Sequence, residues 1–275
     1  MEDSYRESKI KIIGAPMSRN QDTKTIPSAT IIMLREENDC LEAFMVVRHH
    51  EIDFASGALV FPGGKIDQQD YEMDIYCEGI NKDEPFDHAY KVGAIREAFE
   101  ESGVLFARTR GSEEIISSSK LKELSHYRKA LHSGQITFRD FLVKENLVLA
   151  CDELYQFAHW ITPKMMPKRF DTQFFIARAP HQTALHDGNE SIDSFWLSPK
   201  EALEGNRNGK FTIIFPTRVN IEFLAEIESI ERAIAESLRV KIKAVLPRVE
   251  HRDDGAYVVI DEDTGYKTTS EKIPS

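Results

Sequence analysis

Apolar and polar positions along this chain change period several times, and the changes outline its elements. Residues 29–34 and 42–47 are apolar segments of strand length separated by the polar run Arg35-Glu36-Glu37-Asn38-Asp39, which predicts a β-hairpin. A third apolar run, 58–61, leads into Pro62-Gly63-Gly64, where strand patterning stops and backbone can approach a ligand closely. Residues 67–87 are acidic and without period, so an irregular surface loop is expected there. From His88 the spacing turns helical over 88–102. Ala94, Ala98 and Phe99 can face inward, Asp87 stands at the N-cap position and Gly103 closes the helix.

Residues 113–150 repeat apolar side chains at helical spacing: Leu121, Leu124 and Tyr127, then Phe138, Phe141 and Leu142. Gly134-Gln135 breaks the two stretches, and Thr137 is placed to cap the second. Strand patterning returns over 154–161 and 173–177. Ser198-Pro199-Lys200-Glu201 combines a Ser cap, Pro at the first helical position and the Glu of a capping box. One long amphipathic helix is expected over 217–238, with Ile221, Leu224, Ile227 and Ile230 on its core face. Beyond 249 only 256–260 reads as a strand. This order of strands and helices predicts an α/β layered fold. The expected organisation is a loose lead-in over 1–26, one domain over 27–248 and a tail over 249–275. The domain carries a loop insertion at about 67–87 and a helical insertion at about 113–150.

Composition narrows the function classes. A chain of 275 residues with 41% apolar and 29% charged side chains can bury a sizeable core. A net charge of −11 argues against a broad nucleic-acid footprint, which needs clustered Lys and Arg. It does not exclude a phosphorylated small molecule, because a bound metal reverses the local sign. Cys40, Cys77 and Cys151 are odd in number and far apart, which points to a reducing compartment without a disulfide framework. No His/Cys spacing resembles a zinc site. Residues 1–14 lack an apolar signal core and no run approaches a membrane span. The final Lys272-Ile273-Pro274-Ser275 is not a Ser-Lys-Leu address. A cytoplasmic location without a membrane partner is therefore expected.

The chemistry concentrates in Arg96-Glu97-Ala98-Phe99-Glu100-Glu101-Ser102-Gly103-Val104. Glu97, Glu100 and Glu101 recur at spacings that share one helical face. Their repulsion would be relieved by a hard divalent cation such as Mg²⁺ or Mn²⁺. Taken alone, the run also fits an ordinary solvated helix face. Phe61-Pro62-Gly63-Gly64-Lys65-Ile66-Asp67 upstream changes the balance, since a glycine-rich strand end beside a carboxylate-lined helix can hold a metal–diphosphate complex.

Together these residues resemble the box of the Nudix hydrolases, G-x5-E-x7-R-E-U-x-E-E-x-G-U with U aliphatic. Gly64 matches the first glycine, Asp70 takes the place of the first glutamate, and Arg96 to Val104 match the rest, with Ala98 a small U residue. Between Gly64 and Arg96 lie 31 residues (65–95), where the compact pattern has 13. That long insertion is similar to the coenzyme A diphosphatase branch typified by nucleoside-diphosphate-linked moiety X motif 19. Segments 160–163, 169–175 and 196–203 resemble the same branch, and the likeness runs from about residue 28 to 224.

The resemblance implies a Nudix α/β/α sandwich with a mixed sheet, and metal-dependent hydrolysis of a diphosphate linkage. It implies Glu97, Glu100, Glu101 and the Gly63 carbonyl as ligands of Mg²⁺ or Mn²⁺. Arg96 would orient Glu97 or Glu100, and Asp70 could brace Arg96. Glu190, ahead of Phe195-Trp196, stands where many such enzymes keep a general base, though it equally fits a turn residue. Arg48, Gly57 and Phe61-Pro62-Gly63-Gly64 match the coenzyme A signature, from which Phe44-Met45-Val46-Val47 depart. Arg48 and Arg169 are the candidate phosphate-binding side chains. The expected partner is a small-molecule diphosphate, best read as coenzyme A or an acyl-coenzyme A, with a homodimer left open. ADP-ribose, a dinucleotide or a nucleotide sugar are alternatives. A nucleotide-sensing module without catalysis is a different class, and the intact carboxylates argue against it. An isoprenyl diphosphate isomerase ranks low, because no Cys sits at a recognisable catalytic place.

Overall fold

A computed structural model describes residues 24–49, 57–80, 83, 88–188 and 191–273. Most of the expected lead-in, residues 1–23, and the expected cap Asp87 lie outside them. The predicted hairpin forms from β1 (Ile26–Glu37) and β2 (Cys40–Arg48). Asn38 and Asp39 turn it with φ of 51° and 59°, the left-handed pair a tight two-residue hairpin turn requires. β3 (Leu59–Val60) pairs with β2, and β4 (Gly63–Lys65) pairs with β1, placing Gly63 opposite Thr30 and Gly64 opposite Ala29.

Two short 3-10 turns, Gln68–Glu72 and Asp74–Tyr76, and β5 (Cys77–Glu78) follow. This overturns the expectation of a loop lying wholly over the surface. Met73 is fully buried and Tyr76 nearly so, both inside the core that packs on α1 (Ala89–Ser102). Glu72 and Asp74 are exposed, Asp70 is buried, and two apolar side chains three apart anchor the stretch. Gly103 ends α1 with φ of 76°, as its position predicted.

After β6 (Ala107–Thr109) comes the helical insertion, α2 (Ser118–Leu124), α3 (His126–His132) and α4 (Phe138–Lys144). Thr137 caps α4 by accepting the Asp140 N–H at 3.0 Å. The expected helical stretch stops short of 150: β7 (Leu147–Ala150) is a strand between β5 and β6. Its four consecutive buried residues suit a central strand covered on both faces.

β8 (Tyr155–Ile161), β9 (Phe170–Arg178) and β10 (Ser191–Leu197) complete most of the main sheet. α5 (Pro199–Arg207) starts with the predicted capping box. The single helix expected over 217–238 is two, α6 (Phe215–Leu224) and α7 (Ile230–Arg239). Ser229 caps α7, and the Ile230 N–H is taken by Glu36 of β1 at 2.9 Å, so one local and one distant contact meet at the start of α7. β11 (Ala244–Val245) adds the edge strand. The tail holds three strands rather than one: β12 (Arg248–Arg252), β13 (Gly255–Val259) and β14 (Ser270–Lys272) form a separate antiparallel sheet.

The main sheet runs β10-β2-β1-β9-β8-β11, with β3 and β4 attached to the hairpin. β1 and β9 are parallel, as are β8 and β11, and the other pairings are antiparallel, so the sheet is mixed. β1 shows why it is covered on both sides. Ile31 and Met33 enter the core under α1 and the insertion, while Ile32 and Leu34 enter the opposite core under α5, α6 and α7. This is the expected α/β/α layering. Among the described residues no helix is long and apolar enough to cross a membrane.

Candidate functional site

The site is built where β4 meets α1. Space requires glycine at 63, and Gly64 leaves room for the Glu97 carboxylate. A β-carbon on Gly63 would fall 2.7 Å from Thr30 Cα, and one on Gly64 would fall 2.6 Å from Glu97 Cδ. The strand end is thus pressed against the carboxylate face of the helix. The Gly63 N–H donates to Glu101 Oε2 at 3.0 Å, which ties the two elements at the same point.

Arg96 organises the rest. It is buried and donates to both oxygens of Asp70, from Nε at 3.1 Å and Nη2 at 2.9 Å, a planar fork on a carboxylate. Nη2 also donates to the Lys65 carbonyl at 2.8 Å, and Nη1 donates to Glu97 Oε1 at 2.9 Å. Glu100 lies 3.6 Å from Nη1. Asp70 is fully buried and receives the Asp67 N–H at 2.8 Å. Asp70, at the position where the box has a glutamate, is carried to the guanidinium by the 3-10 turn.

Electrostatics follow from this crowding. Burial pulls the Arg96 pKa down, but Glu97, Asp70 and Glu100 outweigh it and hold the group above its ordinary value. Burial pushes Asp70 up against the opposing bonds from Arg96. With both oxygens engaged by a cationic fork, the pair is read as ionised. Glu100 is pushed up to about 7, first by burial and then by Glu97, Asp67 and Asp70, against the pull of Arg96.

Among the described residues no three acidic, His or Cys side chains converge in an arrangement ready to hold a metal ion. Glu101 is turned onto the Gly63 N–H, and Glu97 onto Arg96. The donor chemistry nevertheless fits a hard divalent cation. The donors are carboxylate oxygens on one helix face, and Glu100 is held in a partly desolvated, negatively charged setting that such a cation would relieve.

Two other residues of the site lacked any sequence signal. The Lys65 carbonyl acts through its backbone. Arg128 of α3 reaches from the helical insertion to the C-terminal turn of α1, donating to the Glu100 carbonyl at 3.0 Å and the Leu185 carbonyl at 3.2 Å. It thereby joins the last turn of α1 to the loop that leads toward β10. A cation there also complements the helix C-terminus.

Arg48 ends β2, and its N–H donates to the Ala58 carbonyl at 3.1 Å, at the root of the strand that leads to Gly63. Among the described residues its Nε is buried without a hydrogen-bond partner, and so is the Oγ of Ser191, its neighbour across the β2–β10 pairing. Arg169 is buried at the start of β9 and donates from Nε to the Thr162 carbonyl at 3.0 Å. Glu190 lies outside the described residues.

A family profile described as the NUDT19 Nudix domain matches residues 76–223, more than half of the chain. The chain belongs to the NUDT19 Nudix family. The matched stretch takes in α1 and its carboxylates and begins after Gly64. An acyl-coenzyme A diphosphatase NUDT19 from Xenopus laevis is 22% identical over 95% of this Nudix chain and 81% of its own length. A putative nudix hydrolase 7 from Caenorhabditis elegans is 23% identical over 67% of this chain and 56% of its own. The crystal structure of a Nudix hydrolase from Alicyclobacillus acidocaldarius superposes with a TM-score of 0.62 at 25% identity, covering 78% of this chain and 96% of that one. The Nudix fold expected from the box is thus the observed one, and the protein is a Nudix diphosphohydrolase.

Proposed function

We propose that this Nudix enzyme hydrolyses the diphosphate linkage of coenzyme A or acyl-coenzyme A, using Mg²⁺ or Mn²⁺. The observation that carries the reading is the closure of β4 on α1, with Gly63 bonded to Glu101 and Gly64 against Glu97. Glu97, Glu100, Glu101 and the Gly63 carbonyl would hold the cation. When bound, it supplies charge neutralisation at the diphosphate and acidifies water. Arg96 fixes the rotamer of Glu97, and Asp70 fixes Arg96. Glu190 is proposed as the general base that takes the proton of the attacking water. Cleavage of coenzyme A would release an adenosine bisphosphate and a phosphopantetheine.

The names of the NUDT19 relatives support the substrate class. Arg48 supports it from this chain's own residues. A buried guanidinium nitrogen and a buried hydroxyl that find no partner among the described residues suit a phosphate oxygen. Arg169 is proposed as a second phosphate contact, although its Nε is already given to Thr162. The proposed domain spans 27–248, and the proposed location is the cytoplasm.

The test is a panel of coenzyme A, acyl-coenzyme A, dephospho-coenzyme A, ADP-ribose, dinucleotides and nucleotide sugars with either metal, read by product mass. Coenzyme A and its thioesters are expected to be cleaved most efficiently. Arg48→Ala should raise KM for coenzyme A with a smaller effect on kcat, since a phosphate grip is made in ground and transition state alike. Efficient cleavage of ADP-ribose or a dinucleotide with coenzyme A left intact would remove the substrate assignment and leave the diphosphohydrolase. No turnover of any compound would favour the sensing module.

A further inference from the structure

The segment between Gly64 and α1 meets the end of the helical insertion along one short edge. β5 runs parallel to β7, with Cys77 opposite Leu149 and Glu78 opposite Ala150. Directly after β7 the chain makes a 3-10 turn over Cys151–Glu153. Gly79 lies so close to it that a β-carbon there would collide with that of Asp152. Arg108 clasps the edge, reaching Glu78 at 3.5 Å, Asp152 at 2.7 Å and Glu153 at 2.9 Å.

Two of the three cysteines sit inside this clasp. Cys77 is half-buried and Cys151 is fully buried. The β5–β7 pairing and the packing of Gly79 on Asp152 bring the two thiols near each other, and the Cys77 thiol donates to the Met73 carbonyl at 3.4 Å. Buried Lys91 of α1 is close enough for its charge to favour the Cys151 thiolate. Cys40, at the start of β2, is exposed and takes no part.

We propose that Cys77 and Cys151 form a redox-convertible dithiol whose co-reactant is a small-molecule disulfide, and which closes to an intramolecular disulfide. In the first step the Cys77 thiolate attacks one sulfur of the co-reactant. That S–S bond breaks, a mixed disulfide forms on Cys77, and the departing thiolate takes up the proton Cys77 lost. The Cys151 thiolate then attacks the Cys77 sulfur and expels the second thiol, which carries away the Cys151 proton. The protein pair loses two electrons and two protons, and the co-reactant gains both. The half-exposed member is the one an external disulfide can reach. The neighbouring Cys77 thiol first, and burial with it, hold the Cys151 thiol well above the usual range, so Cys151 follows Cys77 in the sequence. The product would pin to β7 the same short segment that carries Asp70, the brace of Arg96.

The experiment uses the full chain with Cys40→Ser, incubated with oxidised or reduced glutathione, then denatured, alkylated, digested and read by mass. The oxidised sample is expected to yield a peptide cross-linked between Cys77 and Cys151, with neither thiol alkylated. Its melting temperature should be several degrees higher, and dithiothreitol should reverse both changes. Adding Cys77→Ser should abolish the cross-link and the shift. Glutathione left on Cys77 with Cys151 still alkylated overturns the proposal. So do two alkylated thiols after prolonged oxidation, a cross-link between two chains, or an unchanged melting shift in Cys77→Ser. Should Cys40→Ser not fold, the wild-type chain gives the same reading, since Cys40 falls on its own peptide.

Discussion

Gly63 and Gly64 are neighbours, yet substituting them should do different things. An added carbon on Gly63 meets the backbone of β1, which cannot yield, whereas on Gly64 it meets the carboxylate end of Glu97, which can swing away. Gly63→Ala should therefore lose about 1–3 kcal/mol in urea denaturation, the scale of overpacking. Gly64→Ala should keep its unfolding midpoint but lose turnover by roughly 10²-fold, the scale of a displaced catalytic group. Full turnover in Gly64→Ala would show that the position of Glu97 is immaterial. Glu101→Gln is the matched charge test, because the amide oxygen can still accept the Gly63 N–H. It should lower kcat at least roughly 10²-fold with the fold intact. Near wild-type turnover with saturating Mg²⁺ would remove Glu101 from the metal site. At this scale the motif was legible because a short helical run places its own side chains. The fork between Arg96 and Asp70 was expected only through the resemblance, since the two are 26 positions apart and nothing local specifies their contact.

Among the elements, the helical insertion has a cap and a break that could be read in advance. Thr137 caps α4 where a β-hydroxyl precedes an apolar run, and Gly134 leaves α3 with positive φ. The contacts that fasten it could not be read. Glu145 receives the Tyr127 hydroxyl at 2.8 Å and the Lys120 ammonium at 3.1 Å, joining the end of α4 to α2 and α3. The Tyr127 bond first, and Lys120 with it, hold Glu145 below the usual carboxylate value against burial. A lowered carboxylate pKa gives stability that is present above the unfolded value and is lost as pH falls through the folded one. Glu145→Gln should thus lower the melting temperature by a few degrees at neutral pH and have no effect in acid below the carboxylate range. An equal loss at both pH values would show that the charge of Glu145 contributes nothing. The stretch after Gly64 looked like a loop because its acids outnumber its anchors, but the burial of Met73 and Tyr76 makes it part of the core.

For the whole molecule, the C-terminal sheet is joined to the domain through buried polar atoms. The Tyr266 hydroxyl donates to Asn220 Oδ1 at 2.5 Å and receives Trp160 Nε1–H at 3.2 Å, which links the segment before β14 to α6 and β8. Burial pushes the Tyr266 hydroxyl above its ordinary range. Tyr266→Phe would leave the Trp160 N–H and the Asn220 oxygen without this partner. It should cost about 1–3 kcal/mol in denaturant unfolding, the penalty for orphaned buried polar groups. Diphosphate turnover should be unchanged below the transition. A lost turnover with unchanged stability would place this sheet in the active site instead.

Local patterning alone determined the hairpin, the strand running into the glycines, the carboxylate face of α1, the caps of α4 and α5, and the likeness to the Nudix box. Each depends on residues a few positions apart, where periodicity, φ preference and side-chain reach are properties of the chain itself. Tertiary structure alone decided that Glu36 accepts the first N–H of α7, and that Asp70 reaches Arg96. It also decided that Arg128 secures the end of α1, and that the residues after 248 make three strands rather than one. Those outcomes turn on which distant groups share a buried space, where a carboxylate or guanidinium must find its counterpart to offset its desolvation.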